Sequence, residues 1–225
     1  MNTVADEFSR LASELHEQDG FVETIDALVA SAPAVVGGDA AGVLLSSRGR
    51  YQVGPDTDGS ASRADELQAK VGEGPAVTAI TVRRSVLVHD LEHDVRWPEW
   101  SPLSLELGFR SVISIRLWTE KFTLGALSIY AHRLRAFDAD DVALAEILAR
   151  HASIALASAR QEETLALAVD ARKLVGQAQG ILMERYALDD RRAFDVLRRF
   201  SQQQNIRLNE VARILVATGQ LPSED

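Results

Sequence analysis

The clearest hydrophobic pattern in this chain lies in its last quarter, where apolar residues recur at helical spacing. The stripe has one apolar residue every three or four positions, at Leu167, Ala171, Leu174, Ala178 and Ile181. Two shorter helical patterns follow, over residues 190–204 and 208–217. Because single amphipathic helices of this length are not stable in water, the three patterns predict a small helical bundle.

Before residue 137 the pattern mixes helices with strands. Helical spacing marks residues 4–15 and 21–32, and Pro33 is expected to end the second helix. Residues 55–62 are expected to form a polar loop. Strand-like runs are AAGVLLSS, YQVG, SVLVHDL, RSVISIRLW and TLGALSIYAH, of which the last two should form a central hairpin. This pattern predicts an α+β domain with an antiparallel sheet flanked by helices.

A long helix should join the two parts. No Pro or Gly lies between Phe137 and Gly176, so a helix capped by Asp138 need not stop before Tyr186. A heptad-like seam runs along it at Leu144, Ile147, His151 and Ile154. This seam predicts pairing with a second chain as a homodimer. Packing of Ile147 and Leu148 against the chain's own sheet remains the alternative.

Charge is divided unevenly along the chain. Residues 1–170 hold 15 basic and 26 acidic groups, a net charge of −11, whereas the remainder holds 9 and 7, a net charge of +2. The acidic part should repel nucleic acid, which confines any polyanion to the C-terminal end. That end also carries many amide side chains, which suit RNA or DNA, although a solvated helical face would have a similar composition.

Composition excludes several classes of function. The chain has no Cys, which removes disulfides, zinc ribbons, thiol nucleophiles and thioether-linked chromophores. No apolar run reaches the length of a membrane span, and the first residues lack a signal-peptide pattern, so a cytoplasmic protein without membrane contact is expected. His89 and His93 beside Asp90 and Asp94 could bind a metal ion, but no third ligand is placed, so no metal or cofactor is expected.

The C-terminal motifs GQAQGILMERY, AF and LRRFSQQQNIRLNEVA resemble the ANTAR domain of bacterial transcription antitermination regulators. The resemblance implies binding of paired RNA stem-loops in nascent transcripts. Gln179 departs from the family pattern, in which Lys is commoner. Met183 is expected in the core, and Gly180 suggests a close approach by a helix or by RNA. Positions that fit the pattern are Ala178, Gly180, Met183, Ala193, Ser201 and Ala212.

The RNA contacts implied by this resemblance come from cations, amides and one hydroxyl. Arginines would neutralise phosphates, and the polar side chains would contact bases or sugars. The expected RNA-binding residues are Gln177, Gln179, Gly180, Arg185, Arg198, Ser201, Gln202, Asn205 and Arg207.

Residues 20–158 are similar to the GAF domains fused to ANTAR in actinobacterial regulators. The resemblance rests on VGEGP, HDLEHDVRWPEW, GFRSVISIRL and the segment from LGALSIYAH to the long helix. It implies a sensor that binds an unknown small-molecule effector or only dimerises. Ala76 stands where Cys is frequent, so a thiol-dependent signal does not carry over. Trp97 and Trp100 are expected to cover a sheet edge or a pocket mouth.

The expected organisation is an N-terminal helix in residues 1–19, a GAF sensor in residues 20–158 and an ANTAR domain in residues 159–220. The first ANTAR helix would continue the last GAF helix. The predicted function is an RNA-binding antitermination regulator without catalytic activity. A DNA-binding transcription factor is the alternative, although QQQNIRL replaces the short Gly-containing turn of a helix-turn-helix. An enzyme is disfavoured because no thiol nucleophile exists.

Overall fold

A computed structural model describes residues 20–57 and 59–222, and the helix expected over residues 4–15 lies outside them. The chain divides between Arg160 and Gln161 into two compact units. The domain boundaries proposed from the sequence, after residues 19 and 158, stay a prediction.

The first unit contains five strands and most of the helices. In chain order its elements are α1 (Phe21–Val36), β1 (Ala40–Ser47), β2 (Arg50–Asp56), α2 (Ser60–Val71), α3 (Pro75–Val82), β3 (Val86–Val88), α4 (Trp100–Glu106), β4 (Ser111–Trp118) and β5 (Thr123–Ala131). The long helix α5 (Ala139–Tyr186) begins in this unit, and α6 (Asp190–Gln203) and α7 (Leu208–Thr218) belong to the second.

The strands form one antiparallel sheet in the order β2-β1-β5-β4-β3. The central strand β5 pairs with β1 from Ala40↔Tyr130 to Leu45↔Gly125, and with β4 on its other side. A Cβ on Gly125 would lie 2.2 Å from the carbonyl oxygen of Leu44, so only glycine fits this close approach. The predicted α+β fold with an antiparallel sheet and flanking helices is confirmed.

Alternation along the strands divides the apolar residues between two faces. On β5, Leu127 and Ile129 point to one face, which α1 and the first part of α5 cover. Ala126 and Tyr130 point to the other face, beneath α2 and α3. Each face is therefore a separate core, and the sheet is buried on both sides.

Helix α5 contributes to the first core through small and branched residues. Asp138 accepts hydrogen bonds from the backbone N–H groups of Asp140 and Asp141, which confirms it as the cap. Leu148 is buried against the sheet, whereas Ile147 is 50% exposed. The predicted continuous helix to Tyr186 is also confirmed.

Two tryptophans lie inside the second core. Trp100 is fully buried and donates its indole N–H to the carbonyl oxygen of Ala64 at 2.9 Å. Trp97 packs edge-on against it and donates to the hydroxyl of Thr78. The expectation that these rings cover a sheet edge or pocket mouth is wrong, because both indole N–H groups find partners in the interior and allow full burial.

Three polar side chains are buried in the same core. Tyr130 donates its hydroxyl to Asp65 Oδ1 at 2.6 Å, and Gln68 donates to that atom at 3.0 Å. Gln68 also accepts from the backbone N–H of Ala76 at 2.7 Å, which fixes the start of α3. Burial raises the pKa of Asp65 to about 7, with Asp56 adding to the rise and the two hydrogen bonds opposing it.

The second unit is a three-helix module around its own small core. Ala178, Leu182, Ala193, Leu197 and Leu215 are all fully buried. The alanines allow close helix contact, and larger apolar residues fill the remaining space. The predicted bundle of three helical segments is confirmed.

Two local expectations are wrong. Pro33 does not end α1, the helix expected over residues 21–32. Pro33 lies in the last turn of α1, and the helix continues to Val36. Gly37, at φ 87°, ends it with its N–H donating to the Pro33 carbonyl. The polar loop expected over residues 55–62 is much shorter, since β2 reaches Asp56 and α2 begins at Ser60.

The buried carboxyl of Asp65 should make folding depend on pH. Because its pKa is raised in the folded state, the unfolded chain releases this proton first, and stability falls as pH rises from about 4 to about 7. The loss is up to roughly 4 kcal/mol. Asp65→Asn should flatten this slope in denaturant unfolding, whereas Asp26→Asn, at an exposed position of α1, should keep it. An unchanged slope in Asp65→Asn would contradict the assignment.

Candidate nucleic-acid interface

The solvent-facing side of α6 carries four arginines. The side chains of Ala193 and Leu197 point inward, so positions 191, 192, 198 and 199 lie on the outside, and all four are exposed. Arg192 pairs with Asp189 at 3.5 Å and Arg198 with Asp195 at 3.0 Å, both at the surface. Within the described chain Arg191 and Arg199 have no acidic partner, so their charges are available to an anion.

The junction of α5 and α6 is held by side-chain hydrogen bonds. Asp189 caps α6 by accepting from the backbone N–H of Arg192 at 2.7 Å. Gln179 donates its amide N–H to Asp190 Oδ1 at 2.8 Å and to the Asp190 carbonyl at 3.2 Å. Gln179 is half-buried, so a position expected to contact RNA also joins the two helices.

The turn between α6 and α7 uses two other residues expected to contact RNA. Ser201 donates its hydroxyl to the Ile206 carbonyl at 2.7 Å, which closes the turn. Asn205 has φ 51°, a left-handed conformation that Asn tolerates better than most residues. Arg207 follows as the exposed N-cap residue of α7. Ser201 therefore has a structural role, while Asn205 and Arg207 present their side chains to solvent.

The remaining expected contacts lie on α5 and near the end of α6. Gln177 and Gly180 are exposed, as is Gln202 on α6. Arg185 donates to the carbonyl of Gly219, which ends α7. A Cβ placed on Gly180 would meet no atom of the described chain within 4 Å, so no helix of this module approaches it. Met183 is 36% exposed rather than in the core, because it points to the same outer side as Gly180.

A shallow depression beside α6 was not foreseen from the sequence. Its volume is about 390 Å³, and it is lined by Phe194, Val175, Leu208, Arg172 and Asn209. The ring of Phe194 is 36% exposed there. An exposed aromatic ring next to a guanidinium and an amide is the combination that holds an unstacked base. Contacts between three helices create this depression, so no local sequence signal could have indicated it.

The histidines and acids that the sequence suggested as metal ligands lie in the first unit. Among the described residues no group of three metal-binding side chains exists. His93 Nδ1 lies 2.8 Å from Asp90 Oδ2 at the surface, so these two side chains interact with each other. Ala76, where the resemblance to GAF domains fused to ANTAR suggested a Cys, is fully buried at the start of α3.

Helix α5 is the one described helix long and apolar enough, by length and composition, to cross a membrane. In the most apolar 18-residue stretch of α5, 44% of the residues are buried. Leu148, Ala152 and Leu156 of this helix pack against the sheet. A core helix of a globular domain meets the same criteria, so this feature is weak support for a membrane span. Cytoplasmic location stays a prediction.

Comparison with protein families and structures identifies both units. The family model of the GAF domain matches residues 18–157, and that of the ANTAR domain matches residues 163–216. No curated protein sequence matches the chain.

Several solved structures share the fold of the first unit. Free methionine-R-sulfoxide reductase from Neisseria meningitidis is 16% identical over 71% of this chain and 91% of that chain, with a TM-score of 0.57. The GAF domain of an Acinetobacter phosphoenolpyruvate-protein phosphotransferase is 13% identical over 73% and 99%, with a TM-score of 0.57. The equivalent domain from Coxiella burnetii is 17% identical over 72% and 96%, with a TM-score of 0.56. These identities establish the fold alone.

The two family matches agree with the two compact units and together cover most of the chain. Both domains are regulatory, although some proteins with the GAF fold are enzymes. The chain belongs to the GAF domain family and carries an ANTAR domain in its C-terminal part, and it is a regulator with a sensor domain.

Proposed function

We propose that the ANTAR module binds paired RNA hairpins in nascent transcripts and thereby prevents transcription termination, under control of the GAF sensor. The observation that carries this proposal is the outer side of α6, where arginines that lack acidic partners lie on a module of a family of RNA-binding domains. The actinobacterial type of regulator and the absence of catalysis belong to the same proposal.

The proposed RNA surface combines three kinds of contact. Arg191, Arg198 and Arg199 would neutralise phosphates, and Arg207 would extend the basic surface to α7. Polar groups at Gln177, Gln202 and Asn205 would contact bases or sugars. Gly180, with open space above it, would let an RNA backbone approach α5 closely. We assign Ser201, Gln179 and Arg185 to supporting this surface, because each is engaged within the module.

The depression at Phe194 adds a place for a loop nucleotide. Single-stranded loops are where proteins read RNA sequence, because their bases can leave the stack and lie against aromatic rings. Duplex DNA offers no such unpaired base. This feature therefore favours hairpin RNA over the alternative of a DNA-binding transcription factor.

A homodimer would present two modules to a pair of hairpins. Ile147 and Ile154 are 50% and 56% exposed on the side of α5 away from the sheet, and they lie seven residues apart. Large apolar side chains at this spacing are typical of a helix that pairs with a second copy. We propose that α5 forms the dimer seam.

Replacing one arginine that lacks an acidic partner should weaken RNA binding measurably. Arg199→Gln or Arg191→Gln should lower affinity for a two-hairpin RNA, selected from a random pool by the wild-type protein, by roughly tenfold at moderate salt. Losing one phosphate contact should also reduce the slope of log affinity against log salt by about 0.7 to 0.9. Filter binding across a salt series measures both quantities.

The matched control is Arg213→Gln, which removes the same charge from the same module at a side chain already paired with Glu210. This variant should bind nearly as wild type does. If Arg213→Gln weakens binding as much as Arg199→Gln, the attraction comes from total charge and the proposed surface is wrong.

Dimer formation can be tested separately. Ile154→Glu should weaken self-association at least tenfold, because it places a charge in the apolar seam. Val95→Glu introduces the same negative charge at a side chain that is 89% exposed and lies outside the seam. This variant should leave the dimer intact. Sedimentation velocity over a concentration series measures both. A wild-type monomer, or an unchanged dimer in Ile154→Glu, would remove the proposed seam.

A further inference from the structure

The GAF unit contains a cleft lined by positively charged side chains, although the unit as a whole is acidic. The cleft has a volume of about 530 Å³ and lies between the beginning of α5 and the β3–β4 edge of the sheet. Four arginines line it, together with a single acid, Glu146. Over residues 20–160 the chain has 14 basic and 18 acidic groups, a net charge of −4. The cleft therefore gathers four arginines within a segment whose net charge is negative.

Trp118 positions two of these arginines without neutralising them. The guanidinium of Arg150, on α5, lies 4.5 Å from the centre of the Trp118 ring, and that of Arg116, on β4, lies 5.3 Å from it. Arg116 also donates to the hydroxyl of Thr123 at 3.0 Å. Contact with an aromatic face or a hydroxyl orders a guanidinium but leaves its positive charge intact.

The one acid in the cleft, Glu146, offsets only part of the charge of the four arginines. Glu146 accepts a hydrogen bond from the hydroxyl of Ser85, and no arginine of the cleft forms an ion pair with any described residue. Burial, and secondarily the positive charge of Arg83, lowers the pKa of Arg116. Arg83 and Arg116 therefore repel each other, and an anion bound between the arginines of the cleft would relieve that repulsion.

We propose that this cleft binds a small phosphorylated molecule. Arg84 from the loop before β3, Arg116 from the sheet and Arg150 from α5 would share the phosphate oxygens. Guanidinium groups suit phosphate because they donate two parallel N–H groups to it. The volume of the cleft is in the range of small-molecule sites. A phosphate bound in this way would pair with Arg150 of α5 and with Arg116 of the sheet at the same time.

The site can be tested by calorimetric titration of the full chain with inorganic pyrophosphate and with AMP, at constant ionic strength. We expect wild-type protein to bind at least one of these probes at sub-millimolar concentration. Arg84→Gln combined with Arg150→Gln should weaken binding at least tenfold, since each removes a phosphate donor. The control is Arg63→Gln, at an exposed arginine of α2 outside the cleft, which should bind as wild type does. Circular dichroism verifies that each variant is folded.

Each contrary outcome overturns the proposal. If wild-type protein binds neither pyrophosphate nor AMP at millimolar concentration, the cleft does not contain a phosphate site. Equal affinity in the double variant would place the binding elsewhere on the chain. If the probes fail to bind and the double variant instead loses self-association in sedimentation, the arginines contact a second copy of the chain. RNA binding is not measured in this experiment, so its result does not depend on the function of the ANTAR module.

Discussion

The structure depends on one helix that supplies apolar residues to two separate cores. In α5, Leu148, Ala152 and Leu156 pack against the sheet of the GAF domain, whereas Ala178 and Leu182 pack in the ANTAR module. Between these segments, residues 160–170 are exposed in a single chain. An exposed stretch of helix gains little stability from its own hydrogen bonds, so its persistence depends on the packed segments at its ends and, in our proposal, on a second copy.

This arrangement suits a regulator because α5 contributes residues to both domains. In our proposal, a change in how the first part of α5 packs on the sheet would alter a helix that also forms part of the ANTAR module. The proposed phosphate cleft involves Arg150 of that first part and Arg116 of the sheet. Binding there would favour one way of packing α5 on the sheet over another. The free energy of that shift cannot exceed the difference in the ligand's binding free energy between the two packing arrangements.

Features encoded by local spacing could be predicted from the sequence. The strands, the long helix and the three helical segments of the ANTAR module followed from apolar periodicity and from the absence of Pro and Gly after Phe137. Pro33 was misread because a helix tolerates proline where the lost N–H bond lies near its end and glycine supplies the cap. Trp97 and Trp100 were misread because indole partners at Thr78 and Ala64 come from elsewhere in the fold.

Features formed by contacts between distant segments could not be predicted. The cleft brings together Arg84, Arg116 and Arg150, which lie on a loop, a strand and a helix, and no motif connects them. The depression at Phe194 likewise needs three helices. In the ANTAR module the resemblance indicated candidate residues, but only the structure distinguishes those that form hydrogen bonds within the module, such as Ser201, from exposed ones such as Arg207.

The central claim is that the C-terminal module recognises folded RNA rather than nucleic acid charge in general. The most direct measurement is a competition in which a labelled two-hairpin RNA, bound to the 225-residue chain, is displaced by unlabelled RNA or by duplex DNA carrying the same number of phosphates. The account predicts displacement by the RNA at concentrations at least a hundredfold below those needed for the DNA. Equal displacement by both, or stronger displacement by the DNA, would contradict it.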